Sequence, residues 1–348
     1  MTKRRATIED VASLAGVSIK TVSRVVNREP NVRASTQEKV EDAVAKLNYR
    51  PNPSARNLAS HHAHLIVLVY DDMSAYEAPS SGYIIRLQEG ALRACRKEGF
   101  ELLIHPCNYR DVMVGANLQE QIGQVRPSGI IVAPPLSNMP VIVEAVKATN
   151  TPYVRVATGT GNGDQYEVAT NDREISAEMT RYLASLGHKR IAFIKGDRAA
   201  RAVGNRYSGY IDGLNQSGLP HTAELVVEGD NSIGSGERCA EQLLQLEQPP
   251  TAIFSANDDM AAGVIRVALR NGIRIPEELS VAGCDDIALA QQIYPSLTTI
   301  QQPLSAMAEA ASVALIDSSR GRPHEAGLEI VPGKIMKRES TGPAPENS

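Results

Sequence analysis

The 348 residues predict an α/β protein with a helix-turn-helix unit at the N-terminus and a body of two doubly wound parallel-sheet subdomains. Three observations carry that prediction. The first sixty residues show helical apolar spacing with clear caps. From Leu65 onward, short apolar runs alternate with longer amphipathic stretches. This alternation occurs twice, in two series separated by a Gly-rich segment. The length exceeds one ordinary domain of roughly 100–200 residues, and 42% hydrophobic with 22% charged residues is the usage of a globular chain.

In the head, Thr7 caps a helix whose Ile8, Val11, Ala12 and Ala15 follow the i, i+3, i+4, i+7 spacing; Asp10 completes a capping box and Gly16 ends the helix. Ser18 opens a second helix running to about Asn27. Ser35 with Glu38 opens a third, on which Val40, Ala43, Val44 and Leu47 share a face, and Pro51 closes it. A fourth candidate runs from Asn52 to Ala59, with Asn as cap and Pro53 at the first helical position. It is shorter than the ~12–15 residues at which an isolated helix becomes marginally stable in water.

The body's first series of strand-like runs is LIVLVY at 65–70, ELLIHP at 101–106, GIIVAP at 129–134 and YVRVA at 153–157. The second is RIAFI at 190–194, LVVEG at 225–229, TAIFSA at 251–256 and LSVAGC at 279–284. Amphipathic stretches lie between them, such as the stripe Ile175, Met179, Tyr182, Leu183 and Leu186, so parallel sheets covered by helices are expected. Gly159 to Asp164 reads as a joint between the two series. Residues 339–348, polar and Pro-containing, read as a disordered tail.

Charge is distributed unevenly. Residues 1–60 carry +5 and the remainder −9, within a net charge of −4. A basic head on an acidic body suits phosphate neutralisation by the head. The basic start lacks the apolar stretch of a secretory signal, and no run approaches the ~18–20 apolar residues of a membrane span. A cytoplasmic protein without membrane contact is expected.

The segment 8–27, IEDVASLAGVSIKTVSRVVN, places a helix, a Gly-containing turn and a second helix within twenty residues, the helix-turn-helix arrangement. On the second helix Val22, Val25 and Val26 fall on one side and Lys20, Ser23, Arg24 and Asn27 on the other, with Ile19 at the border. One face packs; the other is suited to a major groove. The Arg24 fork matches guanine O6 and N7, Lys20 donates to the same acceptors, and Ile19 suits a thymine methyl. A merely solvated charged face is the bland alternative.

The stretches DVASLAGVSIKTVSRVVN, EKVEDAVAKLNYRPN and ARNLA between Thr7 and Ala59 resemble the headpiece of the LacI/GalR family of bacterial transcriptional repressors. GHKRI (187–191), RYSGY (206–210), ANDDMAAG (256–263), VAGCDD (281–286) and PSLTTIQQP (295–303) extend the resemblance over nearly the whole chain. It implies a headpiece at 1–50, a hinge helix and linker at 51–63 and a periplasmic-binding-protein-like effector and dimerisation body at 64–338. Within the body it implies an N-subdomain at about 64–160 plus 296–318 and a C-subdomain at about 165–292 plus 324–338. It also implies a homodimer whose recognition helices enter successive major grooves of near-palindromic double-stranded operator DNA. The resemblance places Thr7, Ser18, Ile19, Lys20, Thr21, Ser23, Arg24 and Asn27 at the DNA. From the hinge it adds Asn52, Ala55, Arg56 and Leu58, the last as a minor-groove wedge. A linker role for Leu58 is the alternative.

For the body, the resemblance implies two subdomains joined by three crossovers, with a small-molecule effector in the cleft. Ligands of such sheets sit beyond the carboxyl ends of strands. There the motifs supply Arg206, Asn257 and Asp285 as leading effector ligands, and Ser80, Tyr83, Asp259 and Leu304 as further candidates for which a cap or core role competes. A carboxylate, an amide and a guanidinium together suit adjacent sugar hydroxyls. The sequence departs from the family pattern in the long loop Asp71–Ser81, in Ala157 after YVRV, and in Asn231 where an aromatic wall can stand. With no Trp and 4% aromatics, a purine-stacking pocket is disfavoured, although Tyr76, Tyr83 or Phe193 offer rings. The expectation is a repressor of carbohydrate-utilisation genes answering to a sugar or glycoside; the alternatives are a sugar-uptake binding protein and a regulator answering to a nucleoside or sugar phosphate. The tail lacks the leucine heptads of a tetramer.

No enzymatic activity, cofactor or metal is expected. The Asp pairs at 258–259 and 285–286 lack a catalytic partner and no G-x-S-x-G elbow occurs. Gly159, Gly161 and Gly163 lack a P-loop Lys-Ser/Thr, and His61, His62 and His64 have no accompanying carboxylate or cysteine cluster. The scattered Cys95, Cys107, Cys239 and Cys284 read as buried hydrophobes.

Overall fold

The computed structural model describes residues 6–26, 32–49, 64–72, 82–159 and 165–346. The chain divides into two compact units, Met1–Ala63 and His64–Ser348.

In the first unit, α1 spans Ile8–Ala15. The Thr7 hydroxyl accepts from the Asp10 amide, the Asp10 carboxylate accepts from the Thr7 amide at 2.8 Å, and Gly16 turns the chain at φ 66°. Helix α2 spans Ile19–Val26, and the Ser18 hydroxyl accepts from the Thr21 amide at 3.1 Å. Helix α3 spans Ala34–Lys46 and differs from expectation at both ends. Its N-cap is Arg33, without a side-chain cap, so Ser35 already lies inside. It stops well before Pro51 because Asn48 adopts a left-handed φ of 45° and the Tyr49 amide returns to the Val44 carbonyl at 3.0 Å. Val11, Ala12, Val22, Val40 and Ala43 form the core of these three helices.

The second unit starts with β1 (Leu65–Asp71), α4 (Gly82–Glu98), β2 (Glu101–Cys107), α5 (Val114–Val125), β3 (Gly129–Val132), α6 (Pro140–Ala148), β4 (Tyr153–Val156) and β5 (Tyr166–Ala169). With a later strand β11 (Gly327–Ile330) these form a parallel six-stranded sheet of order β11-β5-β4-β3-β1-β2. Ile66 and Leu68 enter one core and Val67 and Val69 the other, the alternation of a strand covered on both faces. The edge strands β2 and β11 are the exposed ones, and β2 contains Pro106. Helix α4 lies so close to the later helix α12 (Leu304–Ser319) that a Cβ at Gly90 would fall 1.9 Å from the Ser305 carbonyl oxygen.

The second lobe holds α7 (Asp172–Ser185), β6 (Ile191–Lys195), α8 (Arg201–Gln216), β7 (Val226–Glu228), α9 (Ile233–Leu244), β8 (Ala252–Ser255), α10 (Asp258–Arg270), β9 (Ser280–Asp285), α11 (Ala288–Gln292) and β10 (Thr298–Gln301). Together with β12 (Lys334–Met336) they build a sheet of order β12-β10-β9-β8-β6-β7, parallel except for β12. Phe193, Phe254 and Tyr210 pack together at its centre. The chain crosses between lobes at 170–171, 302–303 and 331–333.

These crossings correct the expected subdomain limits. The Gly-rich stretch joins β4 to β5 within one sheet and is no joint between lobes; β5 belongs to the first lobe. Strand β10 belongs to the second lobe, and β11 to the first. The reason is that each of these strands is only four residues long and partly polar, so its pairing is set by the neighbouring sheet edge and not by its own pattern. Residues 339–346 are no free tail either. Ser340 is fully buried, its hydroxyl accepting from the Thr298 amide at 2.8 Å and donating to the Val281 carbonyl at 2.6 Å, and the Ala344 amide donates to the Leu186 carbonyl. Backbone and hydroxyl bonds hold it where hydrophobicity offers nothing.

Candidate functional site

In the headpiece, Val22 of α2 is buried, with Val25 and Val26 packed against the same core. Lys20 and Arg24 are exposed on the other side, Ser23 is half-buried, and Ile19 is 47% exposed although apolar. Thr7 and Ser18 act as caps at the starts of α1 and α2, and the Thr21 hydroxyl lies 2.9 Å from that of Ser18. Capping leaves these hydroxyls at helix N-termini, where backbone amides and the helix dipole favour phosphate. Asn27, Asn52, Ala55, Arg56 and Leu58 lie outside the described residues.

In the body, the carboxyl ends of both sheets face one cavity of about 260 Å³. From the first lobe it is lined by Asp71 at the end of β1, Tyr83 and Ile84 of α4, Tyr109 and Arg110 after β2, and Pro134 and Pro135 after β3. The second lobe contributes Asp197, Ala200, Ala202, Val203, Arg206, Asp230, Asn231, Ser232, Asn257, Asp259 and Asp285. Tyr83, Arg206, Asn257, Asp259 and Asp285 are thus brought together from segments two hundred residues apart. Leu304 is not: it is buried in the first lobe's core, because α12 presents its apolar first turn to that sheet. Ser80 and Tyr76 lie outside the described residues, and Phe193 is a core residue stacked on Tyr210. His64 packs against Phe100, with ring centroids 5.0 Å apart.

Arg206 is buried and heavily engaged. Its Nε donates to Asp172 at 2.8 Å, one Nη to the Ala256 carbonyl at 2.7 Å, and the same nitrogen lies 3.8 Å from Asp285. Asp285 also accepts from the Gln302 amide. Asp172 and Gln302 stand at lobe crossings, so each of the two buried charges is braced by a crossover residue. Burial pushes the Asp285 carboxyl up to about 7 against the lowering pull of Arg206 and Gln302, and Asp259 and Asp172 add to the rise. Burial raises Asp259 to about 6. It also raises Tyr83, helped by Asp285, so that its hydroxyl stays protonated. Asp285, which lines the cavity, and its neighbour Asp286 hold positive φ values of 126° and 54°, backbone strain at the end of β9.

Asn257 has two structural duties. Its oxygen caps α10 by accepting from the Met260 amide at 3.0 Å, and its nitrogen donates to the Asn231 carbonyl at 2.9 Å. Across the cleft, the Tyr109 hydroxyl donates to Asp197 at 2.8 Å, joining the lobes. Tyr109, Arg110, Asp197, Asp230 and Ser232 were not singled out by sequence. The signal that finds them is the strand-end rule applied to β2, β6 and β7 as well as to β8 and β9.

Residues 7–52 match the bacterial regulatory proteins of the lacI family, and residues 180–341 match the periplasmic binding protein-like domain. The chain is 33% identical over 352 residues to the HTH-type transcriptional repressor PurR of Yersinia pestis bv. Antiqua (strain Antiqua), covering 98% of each chain. It is 31% identical over 298 residues to the probable HTH-type transcriptional repressor ExuR of Bacillus subtilis (strain 168), covering 86% of this chain and 87% of that one. Among solved structures, the lac repressor dimer bound to operator and the anti-inducer ONPF superposes with a TM-score of 0.79 at 28% identity over 97% of this chain and all of that one. A complex of the transcriptional regulator CelR with cellobiose gives 0.74 at 27%, with the same coverage. The helix-turn-helix geometry, the two-sheet body and these likenesses lead to one conclusion: the chain belongs to the lacI family of bacterial regulatory proteins and is a DNA-binding transcriptional repressor.

Proposed function

We propose that this repressor controls carbohydrate-utilisation genes and that a small sugar or glycoside, held in the cleft between the two lobes, sets its affinity for a near-palindromic operator. The observation that carries the reading is the cavity of about 260 Å³ where guanidinium, amide and carboxylates converge between tyrosine and proline walls. It lies just below the ~300–1,000 Å³ of sites for drug-sized ligands, which suits a single-ring sugar or small glycoside. Arg206, Asn257 and Asp285 orient hydroxyls, Tyr83 and Asp259 extend the set, and Tyr109 stacks on the sugar face. The cellobiose complex of CelR supports the same ligand chemistry.

At the DNA, Ile19, Lys20 and Arg24 read base edges while Thr7, Ser18, Thr21 and Ser23 hold phosphates, in a homodimer whose two recognition helices meet successive major grooves. Asn52 to Ala59 forms the hinge, with Leu58 as wedge. Effector changes the angle between lobes because Arg206 and Asp285 are tied to the crossings through Asp172 and Gln302. That rotation separates the hinge segments of the dimer, and linkage then requires the effector to bind the DNA-free form more tightly, by a coupling of ~1–3 kcal/mol.

Operator binding by fluorescence anisotropy, titrated with a panel of mono- and disaccharides, tests this. A shift in operator affinity with one sugar is the expected result; no response to any sugar overturns the carbohydrate reading. A nucleoside is the second reading, favoured by the two tyrosine rings, Tyr83 and Tyr109, that line the cavity.

A further inference from the structure

We infer that the cleft selects its effector by charge: it takes an uncharged or amine-bearing polyhydroxyl ligand and rejects one that carries a carboxylate or phosphate. This deepens the reading of the cleft as the effector site and rests on it. Among the described residues, five aspartates and two arginines line the cavity.

The two cations are already committed. Arg206 spends its charge on Asp172 and Asp285, its Nε and one Nη being bonded to Asp172 and the Ala256 carbonyl. A guanidinium held by two buried carboxylates has no net attraction to offer a third anion. Arg110 is exposed at the rim and lies along the Tyr109 ring, its Nε 3.4 Å from the Tyr109 hydroxyl and its charge centre 5.5 Å from the ring centroid.

The carboxylates are unequally matched. Asp230 pairs with Arg238 at 3.2 Å, and Asp197 accepts from Tyr109 and from the Ala199 amide. Asp259, in the first turn of α10, lies within the electrostatic reach of Asp285, and no ion pair with a described residue compensates it. Its neighbour Asp258 is turned away, accepting from the Ile287 amide at 3.0 Å and the Thr299 hydroxyl. Above about pH 7 the cavity wall at Asp259 and Asp285 therefore holds more negative charge than Arg206, shared with Asp172, balances, in a half-enclosed space where like charge is repelled more strongly than in water. Hydroxyls find acceptors there, and an ammonium finds a counter-charge.

The test uses the full-length protein and ligand sets that vary in charge: glucosamine, glucose and glucuronate, which are near-isosteric, with glucose 6-phosphate as a bulkier acid, the same four derivatives of galactose, and adenosine with AMP. Affinities come from isothermal titration calorimetry. Within each pair that binds, the acid is expected to be weaker than its neutral parent by at least about tenfold, and the amine at least as tight as the parent. An acid that matches or exceeds its parent overturns the inference. Adenosine binding with AMP excluded, and all sugars silent, retains the charge rule while removing the sugar reading. The isosteric Asp259→Asn is expected to cut the discrimination against the acid by about fivefold; discrimination unchanged in this variant, with the fold intact by circular dichroism, removes Asp259 from the explanation and overturns its assignment.

Discussion

The headpiece and the cleft solve the problem of recognition in opposite ways. The headpiece presents eight consecutive residues in α2, one face buried on Val22 and the other exposing Ile19, Lys20 and Arg24, the face proposed to read DNA. Its partner is uniformly anionic and its charge is basic, so exposure is enough. The cleft instead collects Asp71, Tyr109, Asn257 and Asp285 from beyond the ends of four strands and Arg206 from helix α8, and buries most of them. Buried charges must be matched internally before a ligand arrives, which is why Arg206 carries Asp172 and Asp285 with it. A surface site is thus modular, and a buried one is tied to the stability and hinge of its domain.

The largest test of this contrast is Arg206→Met. Removing the cation leaves Asp172 and Asp285 buried without compensation, so the body is expected to lose ~3–5 kcal/mol of stability in urea denaturation together with its effector response. Full retention of the body's stability would show that the cleft is as modular as the headpiece.

Arg24→Ala is the matching change on the other side. It is expected to cost ~1–3 kcal/mol at the cognate operator and relax base preference at one position, with headpiece stability altered by less than about 0.5 kcal/mol. Operator affinity measured against a set of single-base variants decides it, and an unaltered profile removes Arg24 from direct readout.

Gln302→Leu sharpens the link between cleft and crossing. Loss of the bond to Asp285 is expected to reduce the coupling between effector and operator by about 1 kcal/mol, roughly fivefold, read as the ratio of operator affinities with and without saturating effector. An unchanged ratio separates the site from the hinge.

The smallest effect is that of pH. Asp259 and Asp285 titrate near 6 and 7, above the ordinary value of about 3.9. The folded body therefore binds more protons than the unfolded chain between pH ~4 and ~7, and its stability is expected to fall as pH rises through that window. Over the same range the discrimination against glucuronate should weaken on acidification, since protonated carboxyls repel no anion. Calorimetry at pH 8 and pH 5.5 compares the two; discrimination that grows on acidification contradicts the assignment.

Legibility followed the range of the interactions. The capping box of Thr7 and Asp10, the Gly16 stop and the packing side of α2 depend on neighbours within four residues, and the pattern announces them. Strands β1, β3, β4, β6, β8 and β9 were legible because strands covered on both faces must be largely apolar, and the edge strands β2 and β7 because each still belongs to a short apolar run, ELLI and LVV. Strands β5, β10, β11 and β12 were not, being short and partly polar. Thr298 and Thr299 are fully buried only because Ser340 and Asp258 lie opposite their hydrogen-bonding groups. Leu304 was misplaced for a similar reason: its motif position suggested the cleft, but the rotation of α12 turns it into the first lobe's core.

By itself the sequence determined the helical head, the twofold βα rhythm, the contrast between a +5 head and a −9 remainder, the identities of Asn257 and Asp285 as polar groups at strand ends, and Arg206 in the segment after RIAFI. The tertiary structure alone decided which sheet each short strand joins, that the three crossings fall at 170–171, 302–303 and 331–333, and that residues 339–346 are pinned to the second lobe. It also decided that the Arg206 charge is spent on Asp172 and Asp285 while Asp259 faces the cavity without a compensating ion pair among the described residues. Periodicity and caps are local and repeat along the chain; the matching of one buried charge by another depends on distances that only the packed lobes set.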